Sequence, residues 1–159
     1  MAARIVDCRA VPTTIYFSGS ITGGREDVEL YQRIVEALEA DGHRVLAGAV
    51  AAAHVGSEGE GPDRAAIYTR DLAWLDEADI IVAEVSKPSH GVGYEIAYAR
   101  HRRAIPVICL FRPAYTKRCS AMIAGDAAID LIEYADLATL LPRLRESVHR
   151  SGRYPARLP

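Results

Sequence analysis

Five short apolar runs punctuate the chain, at 14–18, 44–47, 79–85, 105–111 and 130–134, and stretches with helical periodicity separate them. The run Ile80-Ile81-Val82-Ala83-Glu84-Val85 is nearly continuous rather than alternating, the pattern of a strand buried on both faces. Val28, Tyr31, Ile34, Val35 and Leu38 recur on one helical face, and Leu137, Leu140, Leu141, Leu144 and Val148 do the same further on. Pro142 inside that second pattern marks either a kink or the true start of the helix. Alternation of strand and helix predicts an α/β fold, a Rossmann-like (flavodoxin-like), doubly wound, five-stranded parallel sheet flanked by helices. Right-handed crossovers bring the strand-to-helix loops to one edge, so segments 16–27, 47–63, 86–93 and 112–125 are expected to build the site.

These elements occupy 14–150 as a single domain, with 1–13 and 151–159 read as loosely held ends. A chain of 159 residues, half of them hydrophobic, buries roughly two-thirds of its unfolded surface and needs no cofactor to fold. Charge is nearly balanced, with 19 Lys plus Arg against 21 Asp plus Glu, so no polymeric nucleic-acid partner is expected. Cys8, Cys109 and Cys119 are odd in number and lack C-x-x-C spacing, which argues against a disulfide framework and against zinc. Cys109 lies in an apolar run and reads as a small buried hydrophobe. The five histidines show no paired ligand spacing, so no metal is expected. With no leader-like N-terminus and no apolar stretch of spanning length, a cytoplasmic protein without a membrane partner is expected. The Ala- and Gly-rich stretch 47–61 fits either a lid or a partly helical surface loop.

The chemistry concentrates in four places. Ser89-His90-Gly91-Val92-Gly93-Tyr94-Glu95 follows the buried strand, opening a helix from a glycine-rich loop and carrying a carboxylate one turn in. Helix amides and the dipole there favour a phosphate on the loop and an ionised Glu95, although Glu in a first turn is also ordinary capping. Ile96 stands where a dinucleotide fingerprint needs its third glycine and the intervening loop is long, so a nicotinamide or flavin site is not supported. After the first strand, Ser18, Gly19 and Ser20 begin a small-residue segment that suits either a phosphate cradle or a turn before an Asp27-capped helix. Arg25-Glu26 replaces the Lys-Ser/Thr of a P-loop, against an NTPase.

Asp71 falls between Ile67 and Leu75 at four-residue spacing, on the inward stripe of its helix. An inward carboxylate requires a partner or a raised pKa, so it is either functional or a structural salt bridge. Two carboxylates at one sheet edge, one ionised and one protonated, are the minimum apparatus for cleaving a glycosidic bond with retention. Tyr16 at the end of the first strand is placed to hydrogen-bond the nucleophile. Arg112, Lys117 and Arg118 lie on a site-edge loop where they are candidates to assist phosphate binding, and Arg100, Arg102 and Arg103 read as a solvated helix end.

Tyr16-Phe17-Ser18-Gly19-Ser20, Asp71-Leu72-Ala73-Trp74-Leu75, Ala83-Glu84-Val85, Pro88-Ser89 with Gly91-Val92-Gly93-Tyr94-Glu95, and Ser120-Ala121-Met122-Ile123 together resemble the 2'-deoxynucleoside 5'-phosphate N-hydrolases, relatives of the nucleoside 2-deoxyribosyltransferases. The resemblance runs over most of 14–148 and implies hydrolysis of the N-glycosidic bond of a deoxynucleoside monophosphate without metal or organic cofactor. By resemblance, Glu95 is the nucleophile, Asp71 the second catalytic carboxylate and Tyr16 the residue that orients the nucleophile near the sugar 2' position. Ser20, Ser89 and Gly91 match phosphate-binding positions, and Gly93 completes that clamp. Ser120 matches a serine supplied by a neighbouring subunit and Met122 a residue reaching across the same interface, which implies a homodimer. Thr22 stands where the animal enzymes carry Arg, and 47–62 matches poorly, so base recognition is not legible. The competing expectations are a deoxyribosyltransferase, a ribonucleoside monophosphate N-glycosidase, and a nucleotide sensor without turnover. The small hydroxyls of Ser20, Ser89 and Ser120 favour a phosphate-bearing substrate over the first, and Tyr16 disfavours a 2'-hydroxyl.

Overall fold

A computed structural model describes residues 12–21, 27–48, 50 and 63–152. Thr22, most of 47–62, both chain ends and Cys8 lie outside the described residues. Strands β1 (Thr14–Ser18), β2 (Arg44–Leu46), β3 (Ile80–Glu84), β4 (Val107–Phe111) and β5 (Ile129–Glu133) form one parallel sheet in the order β2-β1-β3-β4-β5. The expected α/β doubly wound fold is therefore the observed one. The chain runs outward from β1 to β2 and then crosses back to β3 on the other side of β1, so the topological switch lies between β1 and β3. In open sheets of this kind the ligand crevice opens there, outside the carboxyl ends of the strands.

Strand periodicity sorts side chains between two cores. Ile15, Phe17, Ile80, Val82, Ile108 and Leu110 face α1 (Val28–Ala40) and α5 (Leu137–Ser151), whose Tyr31, Ile34, Leu38, Leu140 and Leu144 close that side. Tyr16, Ile81, Ala83, Val107 and Cys109 point the other way, toward α2 (Arg64–Glu77) and α3 (His90–Ala97). This alternation decides the site, because it sends Tyr16 and Ser18 to the α2/α3 face and Glu84 to the opposite one. A short α4 (Ala121–Ala124) precedes β5. Among the described residues, no helix is long and apolar enough to cross a membrane.

The helix boundaries correct several expectations. Helix α3 begins at His90 with Ser89 at its N-cap, so Gly91 and Gly93 belong to the first helical turn and not to the preceding loop. Asp27 occupies the N-cap position of α1 but makes no side-chain cap. Helix α5 starts at Leu137 under a reciprocal Asp136–Thr139 capping box, and Pro142 sits inside it, where its missing N–H leaves the Ala138 carbonyl without the usual helical donor. Residues Tyr98–Arg103 continue α3 as a wider π-helical turn, ended by Ala104 in the left-handed region at φ 53°. Arg100 and Arg103 are not a purely solvated end, since Arg100 pairs with Asp126 at 3.1 Å and Arg103 with Asp76 at 3.4 Å.

Candidate active site

Three elements converge at the β1/β3 switch. Strand β1 supplies Tyr16 and Ser18, α3 supplies Glu95, and α2 supplies Asp71. The Tyr16 hydroxyl donates to Glu95 Oε1 at 3.0 Å, and the Ser18 hydroxyl donates to Oε2, so both carboxylate oxygens are held by neutral donors from one strand. Ser18 was expected to meet phosphate; its side chain instead bonds Glu95. Glu95 is the sixth residue of α3, beyond the first turn, which removes the capping reading.

The electrostatics differ from the expectation that helix amides keep Glu95 ionised. Burial pushes the Glu95 carboxyl above its ordinary value, and the Asp71 charge adds to that push. The hydrogen bonds from Ser18 and Tyr16 oppose it. The groups that favour the carboxylate are therefore two β1 hydroxyls. Burial first, then the Glu95 and Asp71 charges, drive the Tyr16 hydroxyl far above its usual range, so it remains a donor at any physiological pH.

Asp71 faces the same space, but not as an unpaired buried charge. Its side chain is 23% exposed and pairs with Arg70 at 2.7 Å. Arg70 in turn lies over the Trp74 ring, 4.6 Å from the centroid, and Trp74 also packs against the core on the α2/α3 side of the sheet. Helix α2 buries only Leu75 among its residues, which explains why the inward-stripe argument overstated the burial of Asp71. One turn earlier, Tyr68 meets Tyr94 of α3 across the mouth, hydroxyl to hydroxyl at 3.4 Å.

The residues expected to meet phosphate lie after β1, at the start of α3 and beside α4. Ser20 is buried, and its Oγ has no hydrogen-bond partner among the described residues. Gly19 lies so close to the Tyr31 ring that a β-carbon would come within 3.0 Å of it. Ser89 caps α3 by accepting from the Val92 amide at 3.4 Å. Gly91 and Gly93 are exposed, and space beside Gly93 is open. Ser120 and Met122 line a separate cleft of about 610 Å³ against a different face of α3, whose walls include Ser89 but not Tyr16, Asp71 or Glu95. Met122 is 86% exposed there.

Arg112 is not at the disposal of a phosphate. It is tied to Asp27 at 2.6 Å and to Glu84 at 3.4 Å. Glu84, fully buried, was read as part of an apolar strand; a carboxylate in such a run was itself the signal that a buried cation would meet it. Cys109 is buried as expected, its thiol pushed up to about 12 by desolvation.

The profile of the nucleoside 2-deoxyribosyltransferase family matches residues 15–139. The chain is 46% identical over 154 residues to 5-hydroxymethyl-dUMP N-hydrolase of Mus musculus, covering 89% of this chain and 85% of that protein. It is 52% identical over 118 residues to the protein of the same name from Homo sapiens, covering 71% of this chain and 65% of that one. Among solved structures, the solution structure of BlsM superposes with a TM-score of 0.72 at 20% identity, covering 94% of this chain and 99% of that chain, a likeness of fold.

Proposed function

The chain belongs to the nucleoside 2-deoxyribosyltransferase family, and within it we propose that this protein hydrolyses the N-glycosidic bond of 2'-deoxynucleoside 5'-monophosphates, releasing free base and 2-deoxyribose 5-phosphate. The observation that carries the reading is the Glu95 carboxylate, half-buried at the switch point, gripped on both oxygens by Tyr16 and Ser18 and faced by Asp71. The names of the mouse and human relatives point to the same reaction class.

In the first half-reaction Glu95 attacks the anomeric carbon. The carbon–nitrogen bond breaks, its electron pair goes to the base, and the base takes a proton from solvent with Asp71 placed to pass it on. In the second, water attacks the anomeric carbon of the glycosyl ester, Asp71 accepts the water proton and Glu95 leaves as carboxylate. Because both oxygens of Glu95 are hydrogen-bonded beforehand, little reorganisation accompanies attack. Ser20, whose buried hydroxyl has no partner among the described residues, Ser89 and the open first turn of α3 at Gly91 and Gly93 receive the phosphate. Ser120 and exposed Met122 complete the neighbouring site in a homodimer, with the cleft they line as the contact surface.

The test is direct. Each deoxynucleoside monophosphate is incubated with the protein, with and without a second free base, and products are separated by chromatography. Free base with 2-deoxyribose 5-phosphate supports hydrolysis. Transfer of the sugar to the second base in preference to water would make the protein a transferase, and binding without release would make it a sensor.

A further inference from the structure

On the α1/α5 face of the sheet, outside the catalytic groups, the structure holds a buried polar cluster that the reaction does not use. Glu84 ends β3 with no exposed surface. It accepts from the Tyr134 hydroxyl at 3.1 Å, from the Ser86 amide at 3.3 Å and from the Ser86 hydroxyl. Arg112, the residue after β4, reaches Glu84 with Nε at 3.4 Å and Asp27 with an Nη at 2.6 Å, while its own amide donates to Ser86 Oγ at 2.7 Å. The Tyr115 ring covers the guanidinium at 5.1 Å. Burial raises the Glu84 carboxyl above its ordinary value, opposed by Ser86, Arg112 and Tyr134, so the cation is part of what keeps two buried acids compatible with the fold.

Each partner of Arg112 is the root of a site segment. Asp27 begins α1, and Tyr31, whose amide returns to the Asp27 carbonyl at 2.9 Å, packs its ring on Gly19. Gly19 stands between Ser18, the donor to Glu95, and Ser20, whose hydroxyl has no partner among the described residues. On the other side Glu84 ends β3 and Ser86 follows it, three residues before the Ser89 cap of α3. We propose that Arg112 is a positioning residue that sets the spacing between the 18–20 segment after β1 and the Ser89 end of α3, and thereby the fit of the substrate 5'-phosphate between them. A guanidinium suits this task because its planar fork serves several acceptors at once; a lysine would serve one. The inference rests on the proposed nucleotide substrate, since the two segments are the arms assigned to its phosphate.

Arg112→Met, Arg112→Lys, Asp27→Asn and the Asp27→Asn/Arg112→Met double variant are compared with the parent protein. Base release gives KM and kcat, calorimetry gives the dissociation constant of a deoxynucleoside monophosphate, and thermal melting reports folding. The expected result is a KM and a dissociation constant raised about tenfold in each single variant with kcat within about twofold, the scale of one charge-assisted contact. The double variant is expected to be no worse than Arg112→Met, and Arg112→Lys to recover only part of the loss. Asp27→Asn conserves size and keeps the test alive if Arg112→Met does not fold. A folded Asp27→Asn with unchanged nucleotide affinity overturns the proposal, as does a loss confined to kcat. If the parent releases no base, the hydrolase reading fails by itself, and the calorimetric comparison still decides for or against the positioning role.

Discussion

Tyr16 and Glu95 are 79 positions apart in the chain, yet the phenol donates to the carboxylate at 3.0 Å from a strand whose alternation leaves it no other face to occupy. With Ser18 two residues along on the same face, the strand presents a pair of donors spaced to meet both oxygens of one carboxylate.

These donors set a pH profile. Burial raises the Glu95 pKa above 4.5, so the acid limb of kcat/KM is expected above the ordinary carboxylate range, with activity rising as Glu95 ionises. Ser18→Ala and Tyr16→Phe each remove a contribution that lowers this pKa, and each is expected to move the limb further up. Asp71→Asn removes one that raises it, moving the limb down while kcat falls about 10²- to 10⁴-fold. Initial rates across pH 4–8 check all three, and a limb that ignores these substitutions assigns it to another group.

The same shift has a stability consequence of opposite sense. A carboxyl whose folded pKa is raised stabilises the fold fully below its unfolded pKa, and that contribution is lost as pH rises through the folded value. Glu95→Gln carries no such titration. Its melting temperature is therefore expected to gain on the parent protein as pH increases through that window, even as activity is abolished. Parallel melting curves at all pH values would contradict a raised Glu95.

Two glycines separate packing from helix propensity. At Gly19 a β-carbon would meet Tyr31 at 3.0 Å and Val50 at 3.1 Å, and Gly19→Ala is expected to lose about 1–3 kcal/mol. Nothing stands within 4 Å of a β-carbon at Gly93, in the first turn of α3, so Gly93→Ala is expected to gain about 0.5–1 kcal/mol. Denaturant unfolding measures both. A gain at Gly93 accompanied by weaker nucleotide binding would mark a position kept small for the ligand.

The proposed homodimer, with Ser120 lent to the neighbouring site, makes a mixing prediction. Glu95→Gln supplies an intact Ser120 with no nucleophile, and Ser120→Ala an intact nucleophile with no serine for its neighbour. Heterodimers formed from the two are expected to hold one complete site, so the mixture should show a population with the parent KM that neither variant has alone. Simple addition of the two separate activities would keep Ser120 with its own chain.

Periodicity located the sheet and its helices because buried strands and amphipathic helices write their burial into residue order. Strand β1 matches the sequence reading to the residue, and β3 and β4 are shorter than it because apolar Val85, Ile105 and Pro106, and charged Asp79, flank the strands without belonging to them. Tyr16 beside Glu95 was legible, since both end at one sheet edge. The Ser18 contact and the Asp71–Arg70 pair were not, because residue order does not say which of several hydroxyls or cations a carboxylate meets. Arg112 was misread for the same reason: a cation on a site-edge loop looks alike whether it faces solvent or a buried Glu84.

The pairing of β1 with β3 also bears on how the proposed catalytic centre comes into being. Both donors to Glu95 reach it across separations of 79 and 77 residues, and the strand register between Tyr16 and Ile81 must close first. Parallel pairing at such range is a slow, late event, because the intervening chain must be ordered before the contacts reward it. A refolding chain is therefore expected to assemble its helices well before Glu95 meets its two donors, and recovery of turnover becomes a clock for completion of the central sheet rather than for collapse.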